Sequence, residues 1–174
     1  MNKKTGFIHL YTGNGKGKTT AALGLALRAF GAGKKIFIAQ FIKGMPYSEI
    51  EAINNYLPGI SIRQFGLDCF IINKPTKKDK KAARFGLSEV SKIIASGDYD
   101  LVVLDEACIA IHYNLFSDHE LISIIKAKPE AMEVVITGRY ATAELIKFAD
   151  LVSDMNEVKH YYKLGVKARK GIDF

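Results

Sequence analysis

The sequence predicts an α/β fold, in which a mainly parallel β-sheet has helices packed on both of its faces. Short apolar segments, typical of buried strands, alternate along the chain with longer segments of helical periodicity. A glycine-rich loop at residues 12–20 joins the first apolar segment to the first helical one. A later apolar segment, residues 101–104, ends in Asp105 and Glu106. A strand–loop–helix unit and buried strands that end in polar residues are both typical of parallel sheets.

The predicted elements follow one another along the whole chain. Strands are predicted at residues 7–11, 35–41, 60–65, 100–106, 133–137 and 151–155. Helices are predicted at residues 21–28, 48–56, 77–96, 117–126 and 141–148. The longest helix is amphipathic, and its inner face is expected to hold Ala82, Phe85, Val90, Ile93 and Ile94. No linker or repeat interrupts this order, so residues 1–174 are expected to form a single domain.

Composition and charge limit the classes of protein to which the chain can belong. Its 174 residues are 48% hydrophobic and carry a net charge of +7, which favours a globular protein with an anionic partner. No apolar run is long enough to span a membrane, and the first residues do not resemble a signal peptide. We therefore expect a cytoplasmic protein without a membrane partner. Cys69 and Cys108 lack metal-type spacing and are expected to be reduced thiols.

The glycine-rich loop has the features of a phosphate-binding loop. Its glycines permit backbone turns in which several N–H groups converge on one anion at the start of a helix. Lys18 would supply a cation for phosphate oxygens, and Thr19 a hydroxyl for a magnesium ion. The common pattern G-x-x-x-x-G-K-[ST] places glycine at position 12, where this chain has Thr12, so the loop is a variant. The alternative is a glycine-rich turn that binds nothing. The candidate nucleotide-binding residues are Gly13, Asn14, Gly15, Lys16, Gly17, Lys18, Thr19 and Thr20.

The two acids that end the fourth predicted strand are candidate metal ligands. Asp105 and Glu106 end an otherwise apolar strand, so they are expected at the carboxyl edge of the sheet, beside the phosphate loop. A carboxylate at that place can hold magnesium directly or through water. The alternative interpretation is that Asp105 caps the next helix, since acids favour that position too.

Two arginines are weaker candidates. Arg139 follows the apolar strand at residues 133–137 and would reach the same edge, where a guanidinium can hold a polyphosphate by two hydrogen bonds. By spacing alone, a surface arginine paired with an acid is an equal alternative. Arg28 lies inside the first predicted helix, and by spacing alone it belongs to a solvated helix face.

A run of basic residues near the longest helix raises the question of nucleic-acid binding. The run comprises Lys74, Lys77, Lys78, Lys80, Lys81 and Arg84. A nucleic-acid surface would interleave aromatic residues with the basic ones for base stacking, and this run has none. The solvated side of a helix is the simpler interpretation, and no nucleic-acid partner is expected.

Several stretches, taken together and in order, resemble one family, the ATP:corrinoid adenosyltransferases of the CobA/BtuR/CobO type. The variant loop with Thr12 in place of glycine is the form that this family has. Alone, only the loop is specific, and only for nucleotides; jointly, the stretches indicate the family. They are residues 12–20, 40–44, 102–106, 136–139, 158–160, 165–168 and 171–174.

The resemblance implies a three-layer, RecA-like P-loop NTPase fold and an unusual reaction. In this family a cobalt(I) corrinoid attacks the 5′ carbon of ATP, and the triphosphate leaves. By resemblance, residues 13–19 hold the polyphosphate while Lys18 and Arg139 neutralise it. Thr19 and Glu106 hold Mg²⁺ (or Mn²⁺), with Asp105 in support. Arg28 matches a family position near the nucleotide.

The resemblance also implies a contact with the corrin ring. Similar enzymes use bulky aromatic residues in the loop after the third strand to remove the axial ligand of cobalt, which eases reduction. In this chain that loop is residues 66–72, with Phe70 as the candidate and Leu67 next. The alternative is a loop packed on its own core. The family further implies a reduced flavoprotein as electron donor and a homodimer.

Two other functions stay open on the residues alone. One is a P-loop phosphotransferase or ATPase that transfers the terminal phosphate. The other is a RecA-like nucleic-acid-binding module. Tripolyphosphate as a product would distinguish the adenosyltransferase from the phosphotransferase, which yields ADP. Salt-dependent oligonucleotide binding would support the nucleic-acid-binding module.

Overall fold

A computed structural model of the chain describes residues 5–67, 71 and 74–174, and in them six parallel strands form one sheet. The order across the sheet is β3-β2-β4-β5-β1-β6. The strands are β1 (Ile8–Thr12), β2 (Ile36–Phe41), β3 (Ile60–Phe65), β4 (Leu101–Asp105), β5 (Glu133–Thr137) and β6 (Leu151–Asp154). The strand predictions are therefore confirmed, with boundaries that differ by at most one residue at either end.

Helices join successive strands, as parallel pairing requires. They are α1 (Lys18–Gly31), α2 (Ser48–Tyr56), α3 (Lys77–Ser96), α4 (Ala107–His112), α5 (Asp118–Lys126) and α6 (Ala143–Phe148). Thr76 and Ser117 start α3 and α5 because each hydroxyl accepts from a backbone N–H three residues later, and the acid there bonds back. The short helix α4, directly after β4, was not predicted.

The sheet has a hydrophobic core on each face. Alternate residues of a strand point to opposite faces, so Phe37 and Phe41 of β2 join one core and Ile38 joins the other. The first core packs against α3, α4 and α5, and the second against α1 and α2. Both faces of β2 and β4 are buried, as their mostly apolar sequences predict. The predicted three-layer α/β architecture is confirmed.

The inner face of α3 differs from the prediction at its amino-terminal end. The buried residues of the helix are Ala83, Gly86, Leu87, Val90 and Ile94. Phe85 is 60% exposed, and its ring contacts the Phe65 ring in an edge-to-face arrangement with centroids 6.1 Å apart. The helical repeat that includes Val90 and Ile94 continues back through Leu87 and Ala83, so the predicted Ala82 and Phe85 were wrong.

Within the described ranges, no helix combines the length and the apolar character that crossing a membrane demands.

Candidate active site

The carboxyl ends of four neighbouring strands meet at one edge of the sheet. Since β4 lies between β2 and β5, and β5 pairs with β1, the residues that follow these strands converge there. A cavity of about 630 Å³ opens at this edge. Among the residues that line it are Gly15, Lys18, Thr19, Lys43, Glu106 and Arg139. The structure thus brings the phosphate loop, an acid and an arginine around one space.

The phosphate loop is shaped by its own glycines and by the segment that follows β6. Gly17, with φ 115°, has the left-handed backbone that immediately precedes α1. The N–H of Gly15 donates to the carbonyl oxygen of Met155 at 2.6 Å, and an added Cβ at Gly15 would meet that oxygen at 2.6 Å. The loop therefore leads directly into the amino terminus of the 14-residue helix α1, where an anion is favoured.

The Lys18 ammonium lies inside the phosphate loop. The residue is 8% exposed, and its Nζ donates to the carbonyl oxygens of Gly13 at 2.8 Å and Gly15 at 2.6 Å. Burial lowers the pKa of Lys18, and the nearby Arg139 guanidinium lowers it further. A cation that is poorly solvated and close to a second cation gains most from an anion in the cavity.

Asp105 ties four elements together. The residue is 1% exposed. Its Oδ1 accepts from the hydroxyls of Thr19 (2.8 Å) and Thr137 (2.7 Å). Its Oδ2 accepts from Lys43 Nζ (2.7 Å) and Gln40 Nε2 (3.3 Å). These donors come from α1, β5, the segment after β2, and β2 itself. The carboxylate is satisfied by protein groups and fixes the Thr19 hydroxyl.

Lys43 is a buried cation of the site to which sequence reasoning gave no role. It is 8% exposed, lines the cavity, and donates to Thr19 Oγ1 at 3.1 Å as well as to Asp105. Burial alone would lower its pKa, but the carboxylates of Asp105 and Glu106 outweigh it, and the pKa of Lys43 lies above its ordinary value. The signal that could have found it is its place just past a buried strand, the same place that singled out Arg139.

Glu106 turns the chain from β4 into α4 and lines the cavity. Its φ of 58° is left-handed, and its N–H donates to Thr137 Oγ1 at 3.0 Å. Burial raises the pKa of the Glu106 carboxyl, and the neighbouring Asp105 raises it further. Glu106, not Asp105, occupies the N-cap position of α4, so the helix-cap alternative for Asp105 is wrong. A nearby cation would stabilise the charged form of Glu106.

The oxygen donors suit a divalent ion held partly by the protein and partly by phosphate. Mg²⁺ is commonly bound through one or two carboxylates, with substrate phosphates and water completing the octahedron. Thr19 Oγ1 donates a hydrogen bond to Asp105, and the lone pairs of the Thr19 hydroxyl are thereby directed toward Lys43 and the cavity. In the part of the chain that the structure describes, no three His, Cys, Asp or Glu side chains form a separate metal cluster. Thr19 and Glu106 therefore fit a metal that arrives with a nucleotide.

The two arginines and Asn14 lie at different distances from the cavity. Arg139 is exposed and lines it. Arg28 is exposed in the last turn of α1, and ten residues of helix correspond to about 15 Å from Lys18. Asn14 lies in a separate shallow depression with Glu157 and Lys163. The structure brings Arg139 to the site, while the roles of Arg28 and Asn14 stay predictions.

The loop after β3 reaches the cavity at Ile71. Ile71 lines the cavity, and its carbonyl oxygen accepts from the Tyr113 hydroxyl at 3.3 Å. Leu67 is half-buried. Phe70, the predicted contact with the corrin, and Cys69 lie outside the described residues. Cys108 is a buried free thiol, and burial raises its pKa to about 12.

The carboxyl-terminal segment crosses the phosphate loop, which the sequence analysis did not foresee. Lys16 Nζ donates to the Tyr161 hydroxyl (3.0 Å), the Ile172 carbonyl (2.8 Å) and the Asp173 carboxylate. The Tyr161 hydroxyl donates to Asp173 at 2.6 Å, and Arg169 N–H donates to the same carboxylate at 2.9 Å. His160, Ile172 and Asp173 line the cavity. This segment forms one wall of the site.

Comparison with known proteins gives a consistent result over the whole chain. The model of the family described as ATP:corrinoid adenosyltransferase BtuR/CobO/CobP matches residues 4–174. The corrinoid adenosyltransferase of Escherichia coli K12 is 36% identical over 170 residues, which cover 97% of this chain and 86% of that protein. The corrinoid adenosyltransferase of Pseudomonas aeruginosa is 35% identical, covering 97% of this chain and 84% of its own. The corrinoid adenosyltransferase CobA of Salmonella typhimurium is 36% identical over 173 residues, covering 99% and 87%.

A family model that spans nearly every residue agrees with the stretches that carried the resemblance and with the phosphate loop, acids and arginine gathered at the cavity. The chain belongs to the ATP:corrinoid adenosyltransferase family BtuR/CobO/CobP.

Proposed function

We propose that the protein transfers the 5′-deoxyadenosyl group of ATP to the cobalt(I) of a reduced corrinoid and releases tripolyphosphate. The observation that carries the proposal is one cavity, bounded by a phosphate loop at one side and by Ile71 of the loop after β3 at another. A phosphate loop alone serves many nucleotide reactions. Here one cavity extends from the phosphate loop to Ile71, and in a chain of this family such a cavity favours transfer from the nucleotide to a bulky acceptor.

The reaction is a displacement at carbon. The electron pair of cobalt(I) forms a bond to the 5′ carbon, and the bond between that carbon and the phosphate oxygen breaks. The triphosphate leaves with the electron pair of the broken bond. No proton moves, so no general base is required.

The protein then has to stabilise negative charge on the departing triphosphate. Lys18, Arg139 and the amino terminus of α1 face the same cavity and would supply this stabilisation. Their pull matters most as the bond breaks, because the bridging oxygen gains charge at that moment. Holding the triphosphate in the loop leaves the ribose directed toward the open part of the cavity.

The residues that would hold Mg²⁺ (or Mn²⁺) are Thr19 and Glu106, with Asp105 acting through Thr19. The ion would screen the triphosphate and orient its oxygens. Asp105 supports this role because its Oδ1 accepts a hydrogen bond from Thr19 Oγ1 at 2.8 Å. Burial raises the pKa of Glu106 because it disfavours the charged form, so a bound cation would stabilise the carboxylate.

The corrinoid side of the proposal rests on the loop after β3. Leu67 and Phe70 would displace the axial ligand of cobalt, which makes reduction of cobalt(II) easier. A reduced flavoprotein would supply the electron. We further propose a cytoplasmic homodimer, without a nucleic-acid or membrane partner.

The products of a single assay test the proposal. The protein is incubated with ATP, magnesium and chemically reduced cobalamin, and the cobalt–carbon product is followed by its spectrum. Phosphorus NMR of the same mixture identifies the leaving group. We expect one tripolyphosphate for each adenosylated corrinoid. ADP or orthophosphate as the main product would instead establish terminal phosphate transfer.

A further inference from the structure

Two exposed aromatic side chains stack beside the site, and the proposed reaction assigns them no role. The rings of His112 and Tyr140 have centroids 4.2 Å apart and planes inclined by 27°. His112 ends α4, and Tyr140 follows Arg139 beyond β5. Tyr140 is 54% exposed. We call these two residues the His112–Tyr140 pair.

Tyr140 holds a backbone conformation that bulky residues avoid. Its φ is 63°, in the left-handed region where Cβ approaches the following carbonyl oxygen. Its flanks are anchored. Gly138 packs so closely on α4 that an added Cβ would lie 2.8 Å from Cys108 Cβ, and the Thr142 hydroxyl donates to Asp118 at 2.8 Å. The strained backbone of Tyr140 positions a ring that remains half exposed, which indicates that the ring serves in binding rather than in packing of the core.

The pair continues an aromatic series that borders the cavity. The Tyr113 ring meets the His112 ring edge-on, with centroids 5.4 Å apart. Tyr113 lines the cavity and donates to the Ile71 carbonyl. Arg139, the chain neighbour of Tyr140, lines it too. The series therefore runs from the residue after Arg139 to the loop after β3.

This series lies on the α4 side of the sheet. The residues of α4 pack in the same core as α3 and α5, whereas Ala22 and Ala26 of α1 pack in the core of the opposite face. The phosphate loop leads into α1. The aromatic series is thus connected to the part of the cavity that adjoins Ile71 rather than to the helix that follows the phosphate loop.

We propose that the His112–Tyr140 pair contacts the corrinoid, at the edge of its flat macrocycle. This inference rests on the proposed function, because it presumes that a corrinoid enters the cavity. A corrin is a large planar ring whose rim carries amides, and exposed aromatic faces bind such flat, partly apolar groups by van der Waals contact. The Tyr140 hydroxyl adds a hydrogen-bonding group for a peripheral amide. The pair is a binding and specificity element for the acceptor and does not act on the leaving group.

The variant Tyr140→Gly tests the proposal with little risk to folding. Glycine adopts a φ of 63° without strain, so the thermal midpoint is expected to stay the same or rise. The KM for the reduced corrinoid should increase by about tenfold, the upper range for one aromatic contact. The KM for ATP and the rate at saturating corrinoid should stay close to the original values. Tyr140→Phe should restore most of the affinity, and His112→Ala should reproduce the loss.

Asn114→Gly is the matched control. Asn114 is also exposed and has a left-handed φ of 54°, two residues beyond His112, but it carries no ring. Relief of strain at this position should leave the KM for the corrinoid unchanged. An equal loss of affinity in Asn114→Gly would trace the effect to backbone strain and would overturn the proposal.

Equilibrium dialysis of cob(II)alamin against each variant separates this inference from the proposed reaction, since it requires no turnover. Weaker binding by Tyr140→Gly than by the parent supports the inference whatever the products of turnover are. Unchanged corrinoid binding overturns it, even if the adenosyl transfer itself is confirmed. A rise in the KM for ATP in place of the corrinoid also overturns it, because the pair would then belong to the nucleotide.

Discussion

Lys43 Nζ lies 2.7 Å from Asp105 Oδ2, and the two side chains are 9% and 1% exposed. The same nitrogen donates to Thr19 Oγ1 at 3.1 Å. A buried ammonium thus joins the phosphate loop to the end of β4. The Tyr47 ring lies under that ammonium, with its centroid 5.6 Å from Nζ. The pair fixes the Thr19 hydroxyl before any nucleotide binds.

Lys43→Met is expected to lower the free energy of unfolding by about 3 kcal/mol, because it leaves the buried Asp105 charge without its cation. The double variant Lys43→Met with Asp105→Asn should be less destabilised than the sum of the two single variants. Urea unfolding of the four proteins completes the cycle. Additive losses would mean that the two side chains do not stabilise one another.

Lys18→Ala is expected to reduce turnover by about 100-fold or more, since the departing triphosphate loses a cation held inside its loop. The change should act mainly on the rate at saturating substrate. Lys34→Ala is the control, because Lys34 is a partly exposed residue that pairs with Asp100 before β2 and β4 begin, at the opposite edge of the sheet. Near-normal turnover by Lys18→Ala would remove it from the reaction.

Much of this site could be predicted because its chemistry is local in sequence. The phosphate loop follows a buried strand, the two acids lie at the end of another, and parallel strands place their carboxyl ends together. Arg139 follows from the same rule. The helix α1 and the strand β5, which supply two hydrogen-bond donors to Asp105, were both predicted. The hydrogen bond from Thr137 to Asp105 was not predicted.

The remainder depends on pairings that no local pattern specifies. Gln40 and Lys43 meet Asp105 only because β2 pairs with β4, and sequence does not give the order of strands. The contact between Lys16 and Asp173 spans 157 residues, so no local pattern showed that the carboxyl-terminal stretches, which carried part of the resemblance, cross the phosphate loop. Phe85 was misplaced because an apolar residue near the helix stripe was taken as part of it, whereas Leu87 and Ala83 continue the repeat.

Glu106→Gln is expected to stabilise the free protein and weaken its response to magnesium. The folded-state pKa of Glu106 is raised, so its favourable contribution to folding exists only while the carboxyl is protonated and is lost as pH rises through that pKa. Above that pKa the charge on Glu106 is therefore unfavourable, and glutamine removes it, which should raise the free energy of unfolding by about 1 kcal/mol. Turnover measured against magnesium should show a higher half-saturation point. An unchanged magnesium curve would exclude Glu106 from the metal site.

Asp173→Asn is expected to loosen the carboxyl-terminal wall from the phosphate loop. Hydrogen bonds from Lys16 and Tyr161 hold the pKa of Asp173 well below its ordinary value of 3.8. A depressed carboxyl pKa stabilises the folded arrangement above the unfolded value and loses that effect as pH falls through the folded value. The wall should therefore stay attached to the phosphate loop from neutral pH down to about pH 4 and loosen only in stronger acid.

In Asp173→Asn, asparagine keeps the shape but loses the charge, so the amides of residues 157–174 should exchange hydrogen faster at neutral pH, and the KM for ATP should rise. Asp98→Asn, an exposed acid in the turn before β4, is the control. Exchange as slow as in the parent protein would show that the wall is held by contacts other than the one between Asp173 and Lys16.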